Sequence, residues 1–373
     1  MEVNNSMEKR LIAIHLPQFH PFKENDEWWG KGFTEWTNVA KARPRYRGHY
    51  QPHIPADLGF YDLRLEETRI AQAELAKRYG IYGFCYYHYW FNGKQLMERP
   101  VKEILLSGKP DFPFMLCWAN ENWSRNWDGG FSSMLIEQRY SNDDYRQHMH
   151  FLCQNVFFDK RYIRVNDRPF FVVYKPQLFP NIKEAIAIWR NVAKEYGIDL
   201  YLGYMTRVGG DYIKDGFDCA IDFHPHDNGF LQPSYMKQLM DLKNSNILHR
   251  AVLKFISKKK NPFNISYNYE DYVNFMCKET YPSLKIYPGV TPSWDNSPRR
   301  KGWFMELKGS TPECYGRWLG RILQDFNPYA EEENFVFINA WNEWAEGNHL
   351  EPDIRWGTAY LEETLKQIKA YNK

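Results

Sequence analysis

Asn334-Phe335-Val336-Phe337-Ile338-Asn339-Ala340-Trp341-Asn342-Glu343-Trp344-Ala345-Glu346-Gly347 is the stretch on which the reading of this chain turns. Its first half is a short apolar run of β-branched and aromatic residues, the pattern of a strand buried on both faces. Its second half becomes polar and tryptophan-rich at once. Similar apolar runs recur upstream at residues 11–16, 82–89, 114–118, 170–174, 200–205, 219–223 and 285–290, which with 334–340 gives eight candidate strands. Helical patterns separate many of them. Asp62 is placed to cap a helix running to about Tyr79, with Gly80 to stop it. Ile182, Ile186, Trp189, Ala193 and Tyr196 recur at helical spacing, and Leu361, Leu365 and Ile368 give a last helix an inward stripe. Eight strands alternating with helices imply parallel pairing in an α/β protein. The expected architecture is a single-domain (β/α)8 TIM barrel with long βα loops over residues 10–373, after a disordered or extended N-terminus at 1–9. The rival is an open doubly wound sheet, which calls for a Gly-rich phosphate turn after its first strand. Here the first strand runs into His15-Leu16-Pro17-Gln18-Phe19-His20, which offers none.

A chain of 373 residues can bury one large barrel or two ordinary domains. No linker, internal repeat or low-complexity tract divides it, although residues 17–61 and 225–268 are longer than barrel loops need to be. The formal net charge of +2 gives no electrostatic footprint for nucleic acid. The aromatic share, 17%, is high, and many of the rings sit in polar stretches such as Trp118-Ala119-Asn120-Glu121-Asn122-Trp123. Cys85, Cys117 and Cys219 fall in apolar runs, Cys153, Cys277 and Cys314 elsewhere, and no CxxC pair occurs. Buried free thiols are expected, in a reducing compartment. The polar N-terminus has no signal-peptide core, and no stretch of ~18 apolar residues could span a membrane, so a cytoplasmic location is expected.

In a barrel of this type the active site lies at the carboxyl ends of the strands. The candidates are therefore the residues that end or follow each strand. They are His15, Gln18 and His20; His88 and Trp90; Trp118, Asn120, Glu121, Asn122 and Trp123; Lys175; Thr206 and Arg207; His224, His226 and Asp227; Trp294, Asp295 and Asn296; and Trp341, Asn342, Glu343, Trp344 and Glu346. Sugars present flat apolar C–H faces rimmed by hydroxyls, which aromatic platforms beside Asn, Asp and Glu suit. Trp118, Trp123, Trp294, Trp341 and Trp344 are accordingly expected in one cleft, near His88 and Glu121. Glu343 and Glu346 are the sharpest pair. Glycosidic cleavage needs one group to protonate the leaving oxygen and another to handle the charge developing at the anomeric carbon. Apolar rings nearby can raise one carboxyl's pKa by desolvation. The plain alternative is two solvated loop carboxylates paired with Lys or Arg.

Other groups carry alternatives of their own. Asp222, His224 and His226 are either a metal site or satisfied rim residues, and the second is favoured because no further ligand set is spaced with them. Glu121 is a substrate contact, a structural ion pair or a third catalytic carboxylate. Asp295-Asn296 is a substrate contact or a turn. Lys258-Lys259-Lys260 reads as a solvated face, with contact to a membrane surface bearing a lipid-linked glycan as the alternative.

Trp341–Gly347 with its continuation Asn348-His349-Leu350-Glu351-Pro352-Asp353 resembles the signature of the WbsX-type proteins of polysaccharide and lipopolysaccharide biosynthesis, which are related to glycoside hydrolase family 99. His15-Leu16-Pro17-Gln18-Phe19-His20, Trp28-Trp29-Gly30-Lys31-Gly32-Phe33-Thr34-Glu35-Trp36 and Trp118-Ala119-Asn120-Glu121-Asn122-Trp123 are similar to that group as well, and the likeness covers roughly residues 10–370. Family 99 contains retaining endo-α-mannosidases on a (β/α)8 barrel. The resemblance implies that Glu343 is the base assisting the sugar's own 2-hydroxyl as internal nucleophile. It implies that Glu346 is the acid that protonates the leaving group and later activates water. Ala345 stands where the mannosidases carry His, a difference that alters subsite contacts and weakens a claim of mannose specificity. The leading expectation is a retaining glycoside hydrolase or transglycosylase acting on an oligosaccharide or polysaccharide, lipid-linked glycans included, with no cofactor and no metal. A glycosyltransferase using an activated donor is the second reading. No nucleotide-phosphate cradle supports it, and Asp143-Asp144 is not an Asp-x-Asp motif. A non-catalytic glycan-binding barrel is the third.

Overall fold

The computed structural model describes residues 8–124, 134–206, 210–225, 265–279, 284–302 and 304–371. Arg207, His226, Asp227 and Lys258-Lys259-Lys260, singled out above, lie outside the described residues, as do residues 1–7.

The eight expected strands are all present, with ends shifted by at most two residues. They are β1 (Arg10–His15), β2 (Ile81–Phe91), β3 (Phe114–Trp118), β4 (Arg168–Val173), β5 (Tyr201–Met205), β6 (Cys219–Ile221), β7 and β8 (Phe335–Ile338). Strand β7 is interrupted at Pro288 into Ile286–Tyr287 and Gly289–Val290. Each strand pairs in parallel with the next, and β8 pairs in parallel with β1. The two halves of β7 divide the remaining pairing. Ile286–Tyr287 lies against β6 and Gly289–Val290 against β8, so the ring closes through a strand that changes partner at its proline. Pro288 has no N–H to give, but its carbonyl accepts from the Phe337 amide at 2.9 Å. The strand residues are almost wholly buried, as their unbroken apolar runs require.

Gly289 is needed at this junction because a Cβ there would sit 1.8 Å from the carbonyl oxygen of Asp222. Backbone on backbone cannot be relieved by a rotamer change. Gly289→Ala is therefore expected to cost about 3 kcal/mol in denaturant unfolding, the upper end of ordinary overpacking. Gly302→Ala, whose Cβ meets nothing within 4 Å, serves as the control.

Among the described residues the α-helices are α1 (Lys23–Trp29), α2 (Glu35–Lys41), α3 (Glu66–Arg78), α4 (Arg99–Ser107), α5 (Asn142–Asn155), α6 (Ile182–Glu195), α7 (Tyr269–Met276), α8 (Pro312–Asp325) and α9 (Ala359–Tyr371). The expected inward stripe of α6 is buried at Ile182, Ile186, Trp189 and Ala193, and Asn181 caps it by accepting from the Glu184 amide. Helix α3 corrects one expectation. It starts at Glu66, and Asp62 instead accepts from the amide and guanidinium of Arg64. A short local side-chain bond there outcompetes the cap. Gly80 stops α3 as expected, at φ +81°.

Among the described residues, three carboxyl-end loops meet at one side of the barrel mouth. The loop after β1 carries α1 and α2. The loop after β7 forms an antiparallel pair, Trp294–Asp295 with Met305–Lys308. The loop after β8 forms the hairpin Asn342–Glu343 with Asn348–His349, bent by a tight turn at Trp344–Glu346. Gly347 closes that turn at φ +57°, and a Cβ there would come within 3.0 Å of Asp295. The position is left-handed and crowded, so glycine suits it.

Candidate active site

β1, β8 and β7 are neighbours in the ring, so their loops meet at one side of the mouth. There Arg299, from the β7 loop, sits among three carboxylates. Its Nε donates to Glu35 Oε1 at 2.8 Å, its Nη2 to Glu343 Oε2 at 2.7 Å, and its Nη1 lies 2.8 Å from Glu346 Oε1. Glu35 is the first residue of α2. Asn342 fixes the approach of the hairpin. Its side chain accepts from the Leu16 amide at 2.7 Å and donates to the Leu16 carbonyl at 3.0 Å, riveting the β8 loop to the end of β1. Below the turn, Glu351 accepts from Trp344 Nε1 at 2.6 Å, Gln72 at 2.7 Å and the Tyr61 hydroxyl at 2.8 Å.

Burial dominates the electrostatics. Glu35 and Arg299 are 1% and 6% exposed and Glu343 is 5% exposed, whereas Glu346 reaches the open cleft. One guanidinium cannot neutralise three carboxylates, so an ionised cluster would hold excess negative charge in a poor solvent for it. Desolvation pushes Glu343 up to about 8; Arg299 opposes the shift, and Glu346 and Glu35 add to it. Desolvation also raises Glu35, against the pull of Arg299. Burial works against charge on Arg299, but Glu35, Glu346 and Glu343 hold its pKa well above the ordinary value.

A consequence for stability follows from Glu343. Between its ordinary value of 4.5 and about 8 the folded chain holds a proton that the unfolded chain has lost. Stability contributed by this group therefore falls as pH rises through that window. Thermal melting of the wild type and Glu343→Gln, compared from pH 5 to 8, should show a smaller decline in the variant. Parallel curves would rule the shift out.

Glu343 and Glu346 face a cleft of about 610 Å³, bordered by Tyr87, Tyr89, Glu121, Trp123, Tyr174 and Trp294. A second cavity of about 1210 Å³ adjoins it across Trp123 and Arg299 and is lined by Gln18, Glu35, Lys41, Arg45, Arg300 and Lys301 among others. Of the residues expected at the site, the structure brings Glu343, Glu346, Glu121, Asn122, Trp123 and Trp294 to the cleft and Gln18 to the adjoining cavity. Glu121 also forms an ion pair with Lys175.

The expected five-tryptophan platform is corrected. Trp118 is fully buried against His148 and Trp189, Trp341 packs on Phe84, and Trp344 stacks on His349 behind the hairpin. None of the three can offer a ring face to a glycan, and tyrosines of β2 and β4's end take their place. Several polar candidates are likewise committed inside the fold. His15 contacts Gln72 of α3, His88 pairs with His148 of α5 at 2.9 Å, and Asn120 ties the β3 loop to Lys175. His224 bridges Asp222 and the Tyr272 hydroxyl, each at 2.8 Å, in the manner of a satisfied polar pair. Asp295 turns away from the cleft and accepts from Gln51 at 2.6 Å and from His49 at 2.8 Å. Ala345 is fully buried.

Neither Glu35 nor Arg299 is marked out by the sequence pattern. Glu35 lies in the run Trp28–Trp36, and Arg299 follows Trp294-Asp295-Asn296 of the β7 loop by three positions. The missing signal was spatial, since only ring closure shows that these loops are adjacent.

Residues 11–364 match the family described as Glycosyltransferase WbsX. A protein named WxcX from Xanthomonas campestris pv. campestris (strain B100) is 41% identical over 364 residues, covering 96% of this chain and 49% of that protein. The chain thus spans about half the length of this relative. Among solved structures, the GH99 endo-alpha-mannosidase from Bacteroides thetaiotaomicron superposes with a TM-score of 0.58 at 13% identity, covering 98% of each chain. A glycoside hydrolase-like protein superposes at 0.55 and 13%, covering 99% of this chain and 95% of its own. These superpositions bear out the barrel fold. Among the described residues, no helix is long and apolar enough to cross a membrane.

Proposed function

From the premise that the chain belongs to the WbsX glycosyltransferase family, we propose that it is a carbohydrate-active enzyme that cleaves or transfers glycosidic bonds with retention, using Glu343 and Glu346. The observation that carries this reading is the pair itself. Two carboxylates of one turn share the guanidinium of Arg299 at the carboxyl end of a barrel, facing a cleft edged by aromatic rings. Burial raises Glu343 to about 8, so base work by this group begins with the loss of that proton, which sets the pH at which the pair turns over. In this reading Glu346, at the open side, protonates the leaving oxygen and then activates the acceptor. Glu343, deeper, takes the proton of the sugar's 2-hydroxyl as that oxygen closes on the anomeric carbon. Arg299 and Glu35 hold the two in register and set their charge.

The acceptor in the second step is water for a hydrolase and a sugar hydroxyl for a transferase. The basic mouth formed by Lys41, Arg45, Arg300 and Lys301 beside the cleft favours an anionic group on the donor or acceptor. Transfer is therefore kept as the second reading. The deciding experiment follows a panel of α- and β-linked oligosaccharides by NMR, with and without an added acceptor sugar. A first-formed product with the anomeric configuration of the substrate supports the proposal. Inversion, or no turnover of any member, overturns it.

A further inference from the structure

Behind the hairpin, on the side of Trp294 away from the cleft, a separate cavity of about 760 Å³ opens to solvent. On its wall two groups of buried ligand-type side chains stand together. One is His49, Asp295 and Glu306, and the other is His53, His349 and Asp353. Ring hydrogen bonds tell them apart. His49 Nδ1 accepts from the Arg45 amide at 3.0 Å, so the ring proton sits on Nε2 and is donated to Asp295. That group is a closed hydrogen-bond set with no imidazole lone pair to spare. His349 has the opposite tautomer. Its Nδ1 faces the Glu351 carbonyl at 2.8 Å, and a carbonyl can only accept. The proton is therefore on Nδ1, and the Nε2 lone pair accepts from His53 Nδ1–H, 2.9 Å away, and lies 4.0 Å from Asp353 Oδ2, so a metal ion replaces this one hydrogen bond once the His53 proton moves to Nε2.

We propose that His53 Nδ1, His349 Nε2 and Asp353 Oδ2 form a three-ligand site for a divalent transition metal, with Zn²⁺ the best match to its donors. Two imidazole nitrogens and one carboxylate oxygen are a set that zinc accepts. With metal–ligand bonds near 2.0–2.2 Å, ligand atoms around a tetrahedral ion sit about 3.3 Å apart. The separations of 2.9 and 4.0 Å straddle that value. Each ligand also has the outer support that metal ligands need. His349 donates to a backbone carbonyl and stacks on Trp344 with centroids 3.7 Å apart. His53 stacks on Tyr50 at 4.3 Å. Asp353 Oδ1 accepts from the amides of Arg355 and Trp356, which leaves Oδ2 to the site and to the Tyr50 hydroxyl. The fourth position faces the cavity and takes water. The ion ties the β1 loop, through His53, to the hairpin that carries Glu343, because His349 is the strand partner of Asn342. It acts as a positioning centre, independent of which glycan reaction the cleft performs.

The test is calorimetric titration of chelator-treated protein with Zn²⁺. One ion per chain with a dissociation constant of about 1 µM or lower is expected, with a rise in Tm of about 3 °C at a hundredfold excess of metal over that constant. His53→Phe keeps the stack on Tyr50 and Asp353→Asn keeps the backbone caps. Each should weaken Zn²⁺ binding by more than about 100-fold. Unmodified protein loaded with Co²⁺ should show the intense visible bands of four-coordinate cobalt, a readout that does not depend on the variants folding. No stoichiometric Zn²⁺ binding, variants that bind as the wild type does, or a six-coordinate cobalt spectrum overturns the proposal.

Discussion

Glu346→Gln is expected to lower turnover of the natural glycan by about 10²–10⁴-fold, the range that general acid–base assistance supplies, and Glu343→Gln to lower it comparably. The amide keeps the shape of the side chain and some of its hydrogen bonding but cannot move a proton. The two variants should part company on a substrate with an activated leaving group, such as a nitrophenolate or fluoride. Departure then needs little protonation, so Glu346→Gln should keep a fast first step. Glu343→Gln should stay slow, because the 2-hydroxyl still lacks its base, and a 2-deoxy substrate should behave like that variant. The pH profile adds a sign. Glu343 in the free enzyme holds its proton up to about pH 8, so base work by this group makes kcat/KM climb as pH rises toward that value. The climbing limb should be missing in Glu343→Gln. Normal rates on a 2-deoxy substrate, or an active double variant, would rule out the assigned roles.

Arg299→Ala should produce the largest loss of stability of any substitution at the mouth. The guanidinium is bonded to Glu35 and Glu343 and lies in ion-pair contact with Glu346. Removing one partner of a buried pair typically costs about 3–5 kcal/mol, because the charge left behind has neither water nor counter-ion. Here several carboxylates are left behind, and the native state can escape only by binding protons. The deficit in denaturant unfolding should therefore shrink as pH is lowered toward 5 and widen toward 8. Arg299→Lys should recover part of it, since one ammonium restores the charge but not the fork that reaches three carboxylates. Equal stability of Arg299→Ala and wild type at pH 8 would remove Arg299 from the centre of the site.

Most of the barrel is legible in the chain because a strand covered on both faces writes itself as an unbroken apolar run, as at 114–118 and 335–338. The carboxylate pair was legible for a related reason, since its place after the last strand follows from the count. What was not legible depends on which way a side chain leaves its loop. Trp118 ends a strand and points outward into the layer of α5 and α6, whereas Trp123, five residues on, returns over the cleft. Spacing along a loop does not encode that choice. The same holds for Asp295, which neighbours Trp294 in sequence but bonds to residues 49 and 51. Glu35 and Arg299 are 264 positions apart, and no local pattern connects them.

The closing seam of the ring has a kinetic meaning. Arg10 pairs with Phe335, so the last pairing joins segments from opposite ends of the barrel's span. Contacts of that sequence separation form late, because the loop they close must first be ordered. Glu35, Glu343 and Glu346 sit on the two loops beside this seam, and Arg299 sits on the next loop. During synthesis, the β1 loop would emerge with Glu35 long before Arg299 and the hairpin exist to meet it. Chemical competence thus arrives in a single late step, and a partly made chain carries neither the activity nor its buried charge.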